Sequence, residues 1–302
     1  MMRGEIEEML SVVIITCNRI ETLKKTIISC CEHVHMKWEL VVVDNGSDDG
    51  TEVQVKKICQ DKKIDLQYYY SEVNLGVAGA RNIGYKIAKG KVLYFIDDDA
   101  IIDMQGYCLD EAYNYLINKD DVQILSTKIW DELWNGILPE ITPKKCEMTN
   151  GVELRSFIGC SHFIKKNEFM PDVLYPDNLF YGGEEAYLSY YIYQHGGRVE
   201  YFEGVSVEHH PSKKTRASKF DIYKNRVLNW YIVKEYYYPQ PYITVSTMVY
   251  WGRILKLTKG NIKKLIEVHE LHKKRYDEKY RNLFSCKQMR KLNQKFGFRY
   301  LV

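Results

Sequence analysis

No stretch of this 302-residue chain approaches the roughly 20 consecutive apolar residues that a membrane-spanning helix needs, so no spanning segment is expected. The opening residues, MMRGEIEEML, are acidic and hold neither a basic region nor an apolar core, which argues against a secretory signal. The eight cysteines never form a CxxC pair, and Cys30 and Cys31 are adjacent. They read as reduced thiols of a cytoplasmic protein, mostly core filler, and not as a zinc centre. His269-Glu270-Leu271-His272 lacks the HExxH spacing of a zinc hydrolase and reads as helix surface. There is no internal repeat and no low-complexity tract. A chain with 45% hydrophobic and 27% charged residues is a folded globular one, not a disordered or fibrous one.

The small net charge of +3 conceals an asymmetry. From Pro211 to Val302 there are 22 lysines and arginines against 6 acids, a net of +16; the rest of the chain holds 21 against 34, a net of −13. The two parts are expected to meet different partners. Tyrosine, by contrast, is abundant, with 25 copies. Its flat ring and polar tip suit sugar or nucleobase contacts, and equally suit core and surface filling.

Four short runs in the first hundred residues read as strands: SVVIIT (11–16), ELVVVD (39–44), LQYYY (66–70) and KVLYFID (91–97). Their nearly continuous apolar character is that of strands covered on both faces. Helical stretches lie between them at 20–31, 51–60 and 77–88, and the alternation predicts a mostly parallel sheet with right-handed crossovers. Ligands of such sheets bind beyond the carboxyl ends of the strands, where TCNR, DNGSDDGT and DDDA fall. Further on, VQILSTKI, SFIGCSHFIKK, GRVEYF and GVSVEHH read as strands and Glu184 to His195 as a helix. Beyond Ser212 the texture turns basic and aromatic, with helices expected near 217–237, 242–257 and 260–282. Tyr238-Pro239-Gln240-Pro241 marks a boundary between them.

Five clusters carry chemistry. Asp97-Asp98-Asp99 places three carboxylates directly after an apolar strand; a divalent cation, Mn2+ or Mg2+, would relieve their repulsion, the alternative being a solvated loop of helix-capping acids. Asp44, at the end of the second strand, can accept hydrogen bonds from a nucleobase or ribose, or belong to a well-made turn in which Ser47 or Asp49 caps the next helix. NLGVAGARNIG (74–84) is not a GxGxxG fingerprint; Arg81 could grip a phosphate, while Gly79 and Gly84 could serve close helix–sheet packing alone. Glu184 and Glu185 open a helix, where the dipole favours acids in any case, but a carboxylate at the mouth of a site can also act as a general base. His209 and His210 close a strand, as ligands or as structural histidines.

In this order, SVVIITCNR, VVVDNGSDDGT, NLGVAGARNIG, YFIDDDA, YGGEEAYL and VEHH resemble the large inverting glycosyltransferase family known as family 2, including its rhamnosyltransferase-like bacterial members. The resemblance covers about residues 10–235. It implies the GT-A fold, an α/β architecture with a mostly parallel Rossmann-like sheet flanked by helices. Residues 1–212 would form the nucleotide-sugar-binding and catalytic domain, and residues 213–302 a helical, basic region facing acceptor or membrane. It also implies that Thr16, Asn18, Arg19 and Asp44 hold the nucleotide of a UDP-, dTDP- or GDP-sugar. Arg81, Asp97, Asp98 and Glu184 join them around the donor, and Asp99 is the expected metal ligand with His209 beside it. The acidic pair usually reads Glu-Asp with the second residue as base; here it is Glu184-Glu185, so Glu185 takes that role. The sequence departs from many members at Tyr187 and Tyr191, where an Asp and an Arg are usual, which points to an altered acceptor pocket.

The expected reaction is an in-line displacement that moves a sugar to an acceptor hydroxyl with inversion, in cell-surface glycan or glycoconjugate synthesis. The acceptor would be a glycan, a lipid-linked molecule or a small molecule. A sugar-phosphate nucleotidyltransferase would carry a GxGTR-type loop after the first strand, where Thr16-Cys17-Asn18-Arg19 stands. A non-catalytic sugar-nucleotide-binding protein is the other alternative. No nucleic-acid motif accompanies the basic region. It can instead meet an anionic inner membrane face peripherally, or simply cover the acidic catalytic part.

Overall fold

Three of the first four strands end at loops that contribute to the site. A computed structural model describes residues 7–103, 108–138, 149–179, 182–211 and 219–298. β1 (Glu7–Thr16), β2 (Trp38–Asp44), β3 (Asp65–Tyr70) and β4 (Gly90–Ile96) pair in parallel in the order 3-2-1-4. They are joined by α1 (Ile20–His33), α2 (Thr51–Lys62) and α3 (Gly76–Ile87). β1, β2 and β4 are buried along nearly their whole length, while β3 lies at the edge and is half open. Gly84 lets α3 sit tight on the sheet, since a Cβ there would lie 2.5 Å from Val13 Cγ1. The close packing expected of Gly84 is realised.

The second half of the sheet is mixed. After β5 (Ala100–Ile102) and α4 (Leu109–Ile117) come β6 (Val122–Asp131), β7 (Gly136–Ile137), β8 (Ser161–Lys165), α5 (Glu184–Gln194) and β9 (Arg198–His209). The full order is 3-2-1-4-8-6-9-5, with β7 on the edge of β6. β8 runs antiparallel to β4 and β6, β5 antiparallel to β9, and β6 parallel to β9. The strands expected from GRVEYF and GVSVEHH are one continuous β9, whose register against β6 shifts between Thr127 and Lys128. Only the second half of SFIGCSHFIKK is strand; residues 157–160 form a loop that runs past α5.

The C-terminal helices are α6 (Lys219–Tyr237), α7 (Tyr242–Thr258), α8 (Ile262–Arg275) and α9 (Cys286–Phe296). The helix expected to run to 282 stops at Arg275, and Asp277 then caps a 3-10 turn at Glu278–Tyr280. α9 opens on a capping box between Ser285 and Gln288. These helices share one apolar core with α5: Ala186 and Tyr190 pack against Leu228, Ile232, Tyr236, Tyr237, Tyr238 and Phe284. Six tyrosines, Tyr190, Tyr231, Tyr236, Tyr237, Tyr238 and Tyr250, are buried there. Much of the tyrosine excess is therefore core, with ring pairs such as Tyr231–Tyr250 stacked at 4.1 Å. Among the described residues no helix is long and apolar enough to cross a membrane.

Candidate active site

The acidic turn after β4 is wired into three other strand ends. Asp97 N–H donates to Cys160 O (2.9 Å), and Ala100 N–H closes the turn on Asp97 O (3.1 Å). Asp98 points inward, accepting from Thr16 Oγ1 at the end of β1 (2.8 Å) and from Arg19 Nη1 (3.0 Å). The same Arg19 nitrogen reaches Asp99 Oδ2 at 2.8 Å, and His209 Nε2 lies 3.3 Å from Asp99 Oδ1. Burial pushes Asp98 up to about 7, with Arg19 opposing it. Asp99 is also buried, but His209 and Arg19 outweigh that and hold it below the usual carboxylate range.

His209 is gripped from behind. It pairs with Asp131 in the β6–β9 ladder, and its Nδ1 lies 2.7 Å from Asp131 Oδ2. Trp134 N–H fixes the other Asp131 oxygen at 2.8 Å. Burial disfavours the imidazolium, yet Asp99, Asp97 and Asp131 hold His209 up at about 9. A carboxylate on one ring nitrogen that leaves the other for a metal is a common way of orienting a histidine ligand. Asp97, Cys160 and His209 bring a carboxylate oxygen, a thiol sulfur and an imidazole nitrogen within 4.8 Å of one another. With Asp99 on the same imidazole, two carboxylates and a histidine form an oxygen-rich donor set that suits Mn2+ or Mg2+. Cys30 and Cys59 fill core, whereas Cys17, Cys31 and Cys108 are half-buried, Cys286 is exposed, and Cys160 lines this cluster.

Arg81 links the acidic turn to α5. It is 4% exposed. Its Nη2 donates to Asp97 Oδ1 (3.1 Å) and Gly159 O (2.8 Å), and its Nη1, without a hydrogen-bond partner, lies 3.9 Å from Glu185 Oε1. Gly159 is the space between them, since a Cβ there would lie 2.4 Å from Glu185 Oε1 and 2.7 Å from Arg81 Nη1. At the α5 N-terminus, Gly182 and Gly183 take φ values of 83° and 98° that side chains rarely adopt. Asn229 Nδ2 on α6 holds Gly182 O at 2.7 Å. Glu184 is 2% exposed with one carboxylate oxygen unpartnered, whereas the Glu185 side chain is 22% exposed. Burial raises both carboxyl groups; mutual repulsion adds to this at Glu184, and Arg81 opposes it at both. Glu185 is thus the half-open member of the pair, with a guanidinium at its side.

The third side is formed by β1 and β2. Thr16 and Asp44 are ladder partners. Asp44 accepts from Ser47 N–H (2.8 Å) and from the Tyr68 hydroxyl (2.5 Å). Asn18, at φ 54°, accepts from Asp48 N–H at 2.9 Å, and its own N–H reaches Ser47 Oγ at 2.8 Å. Asp49 accepts from Ile20 N–H and Thr51 N–H, serving the first residues of both α1 and α2. Of the eleven residues singled out in the sequence, Thr16, Asn18, Arg19 and Asp44 lie at or just after the ends of β1 and β2, Asp97, Asp98 and Asp99 after β4, Arg81 within α3, Glu184 and Glu185 at the start of α5, and His209 at the end of β9. Asp131, Cys160, Gly159 and Tyr68 were not singled out; an acid ending the apolar run of β6 was the one visible signal among them.

Residues 11–163, just over half of the chain, match the model of "Glycosyl transferase family 2". An uncharacterized glycosyltransferase of Rickettsia bellii is 34% identical over 176 residues, 56% of this chain and 24% of that protein. The UDP-Glc:alpha-D-GlcNAc-diphosphoundecaprenol beta-1,3-glucosyltransferase WfaP of Escherichia coli is 33% identical over 92 residues, 30% of this chain and 36% of that protein. In three dimensions, the crystal structure of GalNAc-T7 with UDP, GalNAc and Mn2+ aligns over 97% of this chain and 58% of its own, with a TM-score of 0.64 at 20% identity. The chain thus spans less than two thirds of each of these relatives. The fold is the expected GT-A fold.

Proposed function

The chain belongs to glycosyl transferase family 2, and from that premise we propose that it moves a sugar from a nucleoside-diphosphate sugar to an acceptor hydroxyl, in one displacement that inverts the anomeric carbon. The observation that carries this reading is the Asp97–Arg81–Glu185 chain, which joins an acidic, metal-suited turn to a half-open carboxylate. Glu185 takes the acceptor proton as the hydroxyl attacks; its burial and the adjacent Arg81 tune it between acid and base. Arg81 fixes Glu185 relative to Asp97. Thr16, Asn18, Arg19 and Asp44 bind the nucleotide, and UDP is the favoured one because the name of WfaP specifies UDP-Glc and the GalNAc-T7 crystal structure holds UDP.

Asp97, Asp99 and His209 would hold Mn2+ or Mg2+, whose charge stabilises the departing diphosphate. Asp131 orients His209. The nucleotidyltransferase alternative finds no support in the family match, and the open Glu185 beside Arg81 speaks for a working site rather than a lost one. Residues 1–212 would be the catalytic unit. The basic helices beyond would face the acceptor or an anionic membrane, in keeping with a relative whose name specifies a lipid-diphosphate acceptor. Transfer from UDP-sugars, with the anomeric configuration of the product read by NMR, tests this; a product of retained configuration overturns the single displacement.

A further inference from the structure

Two cations that the chemistry above does not use stand together behind the base. Lys234 on α6 is 7% exposed, and its charged neighbours are Arg155 and Arg253, both cationic. The Arg155 guanidinium lies over the Trp230 ring at 5.0 Å, its Nε is buried without a hydrogen-bond partner, and Lys234 Nζ lies 5.9 Å from the Tyr238 ring. The acids nearest in sequence are taken by other cations: Glu153 by Lys295, Glu235 by His272, Asp221 by Lys224. Among the described residues neither Arg155 nor Lys234 forms an ion pair. A buried cation beside other cations and without a counter-charge is costly: it either gives up its proton or needs an anion beside it.

The place matters as much as the charge. The segment carrying Arg155 runs antiparallel to α5: Leu154 O meets Tyr193, Ser156 meets Ser189, and Gly159 meets Glu185. Arg155 therefore lies within about two helical turns, ~11 Å, of Glu185. On α6, Arg226, Trp230 and Lys234 recur every four residues along one stripe. Arg226 sits at the Glu185 end, close enough to favour ionisation of that carboxylate. A guanidinium stacked on an indole keeps its N–H edge free for a bidentate anion, the geometry that suits phosphate.

We propose that Arg155, stacked on Trp230, and Lys234, over Tyr238, with Arg226 on the same helix stripe, form an acceptor subsite that binds a phosphate group, so that the acceptor is a phosphate-bearing glycan or glycolipid. This rests on the glycosyltransferase reading. A soluble glycosyl phosphate and a lipid-linked phosphate share the recognised chemistry.

Calorimetry on the full chain, with UDP and Mg2+ saturating to fill the donor side, tests it with two probes, glucose 1-phosphate and a short prenyl phosphate. Both should bind through the same cations; tighter binding of the prenyl probe assigns a lipid-linked source, and equal binding a soluble one. Arg155→Gln and Lys234→Met should each weaken binding by about tenfold or more, the loss of a charge-assisted contact. Arg290→Ala, in the separate cavity between α7 and α9, should not change it. Lys234→Met keeps the apolar stem and removes the buried charge, so its melting temperature should rise while phosphate affinity falls, a pairing that a purely structural lysine would not produce. No binding of either probe, or unchanged affinity in both Arg155→Gln and Lys234→Met, overturns the subsite. Hydrolysis of UDP-sugars by the wild-type chain is scored separately: its absence counts against the transferase reading, while the calorimetry still decides the subsite.

Discussion

Gly159→Ala adds one methyl group at the point where Arg81 and Glu185 meet. The new Cβ would lie 2.4 Å from Glu185 Oε1, 2.7 Å from Arg81 Nη1 and 3.0 Å from Arg81 Nη2, where ordinary contact begins near 3.4 Å. Gly159 is not among the glycines with positive φ, so the backbone accepts alanine and the effect is steric. Arg81 cannot give way easily, being buried and held by Asp97 and by Gly159 O itself. Glu185, with its flexible and half-open side chain, must retreat by about 1 Å, and a displacement of that size costs on the order of 10²-fold in rate. Because the group that moves is the far end of a side chain, the stability cost should stay at about 1–3 kcal/mol, the usual range for overpacking. Steady-state transfer kinetics should show the loss in kcat, with UDP affinity close to wild type because the nucleotide residues lie on β1 and β2. A folded Gly159→Ala protein whose kcat stays within about threefold of wild type would refute the placement of Glu185 and Arg81 at the reacting atoms.

Glu185→Gln keeps the shape but cannot take a proton, so turnover should fall by about 10²–10⁴-fold with donor binding retained; a crippled Glu184→Gln beside an active Glu185→Gln would reverse the assignment within the pair. Chelation should abolish transfer, and Asp99→Ala should lose most activity and Mn2+ affinity while remaining folded; full turnover in excess EDTA excludes metal dependence. Burial depresses Lys234 from 10.5 to about 7, with Arg155 and Arg253 adding to it, so the unfolded chain binds more protons there between those values and stability contributed by this site rises with pH. The melting-temperature advantage of Lys234→Met should accordingly be largest near neutrality and shrink toward pH 10; an advantage independent of pH would show that Lys234 is not the cause. If the C-terminal helices meet a membrane, co-sedimentation with liposomes should grow with anionic lipid and fall with salt, as screening over about 8 Å at physiological ionic strength requires; equal, negligible sedimentation with neutral and anionic vesicles at low salt leaves a soluble acceptor.

β1, β2 and β4 were legible because a strand covered on both faces must be apolar throughout, and Val12–Ile14, Val41–Val43 and Val92–Ile96 are; β3, read from LQYYY as covered on both faces, is instead a half-open edge strand whose tyrosines reach solvent. β5, three residues long, and α4 left no comparable trace. The α9 helix did leave one, the Ser285–Gln288 capping box, which the basic texture around it masked. GRVEYF and GVSVEHH, read as two strands, are one: the chain continues through Gly204 with a register shift against β6.

The sequence by itself determined which chemistry is present and at which strand ends: Asp44 after β2, Asp97–Asp99 after β4, His209 closing β9 and the glutamate pair opening α5 are local facts of residue type and period. Only the tertiary structure decided what those groups face. Arg81 turned toward Asp97 and Glu185, although the sequence offered it to a phosphate. Asp131 became the partner of His209 because β6 and β9 are neighbours, 78 residues apart in the chain. Gly159 became the gap between acid and guanidinium, and Lys234 became a buried cation among cations. Period and composition act over a few residues along the chain. Electrostatic and steric partnership acts over a few ångströms in space, and the sheet order, with β8 and β6 inserted between β4 and β9, is what converts one into the other.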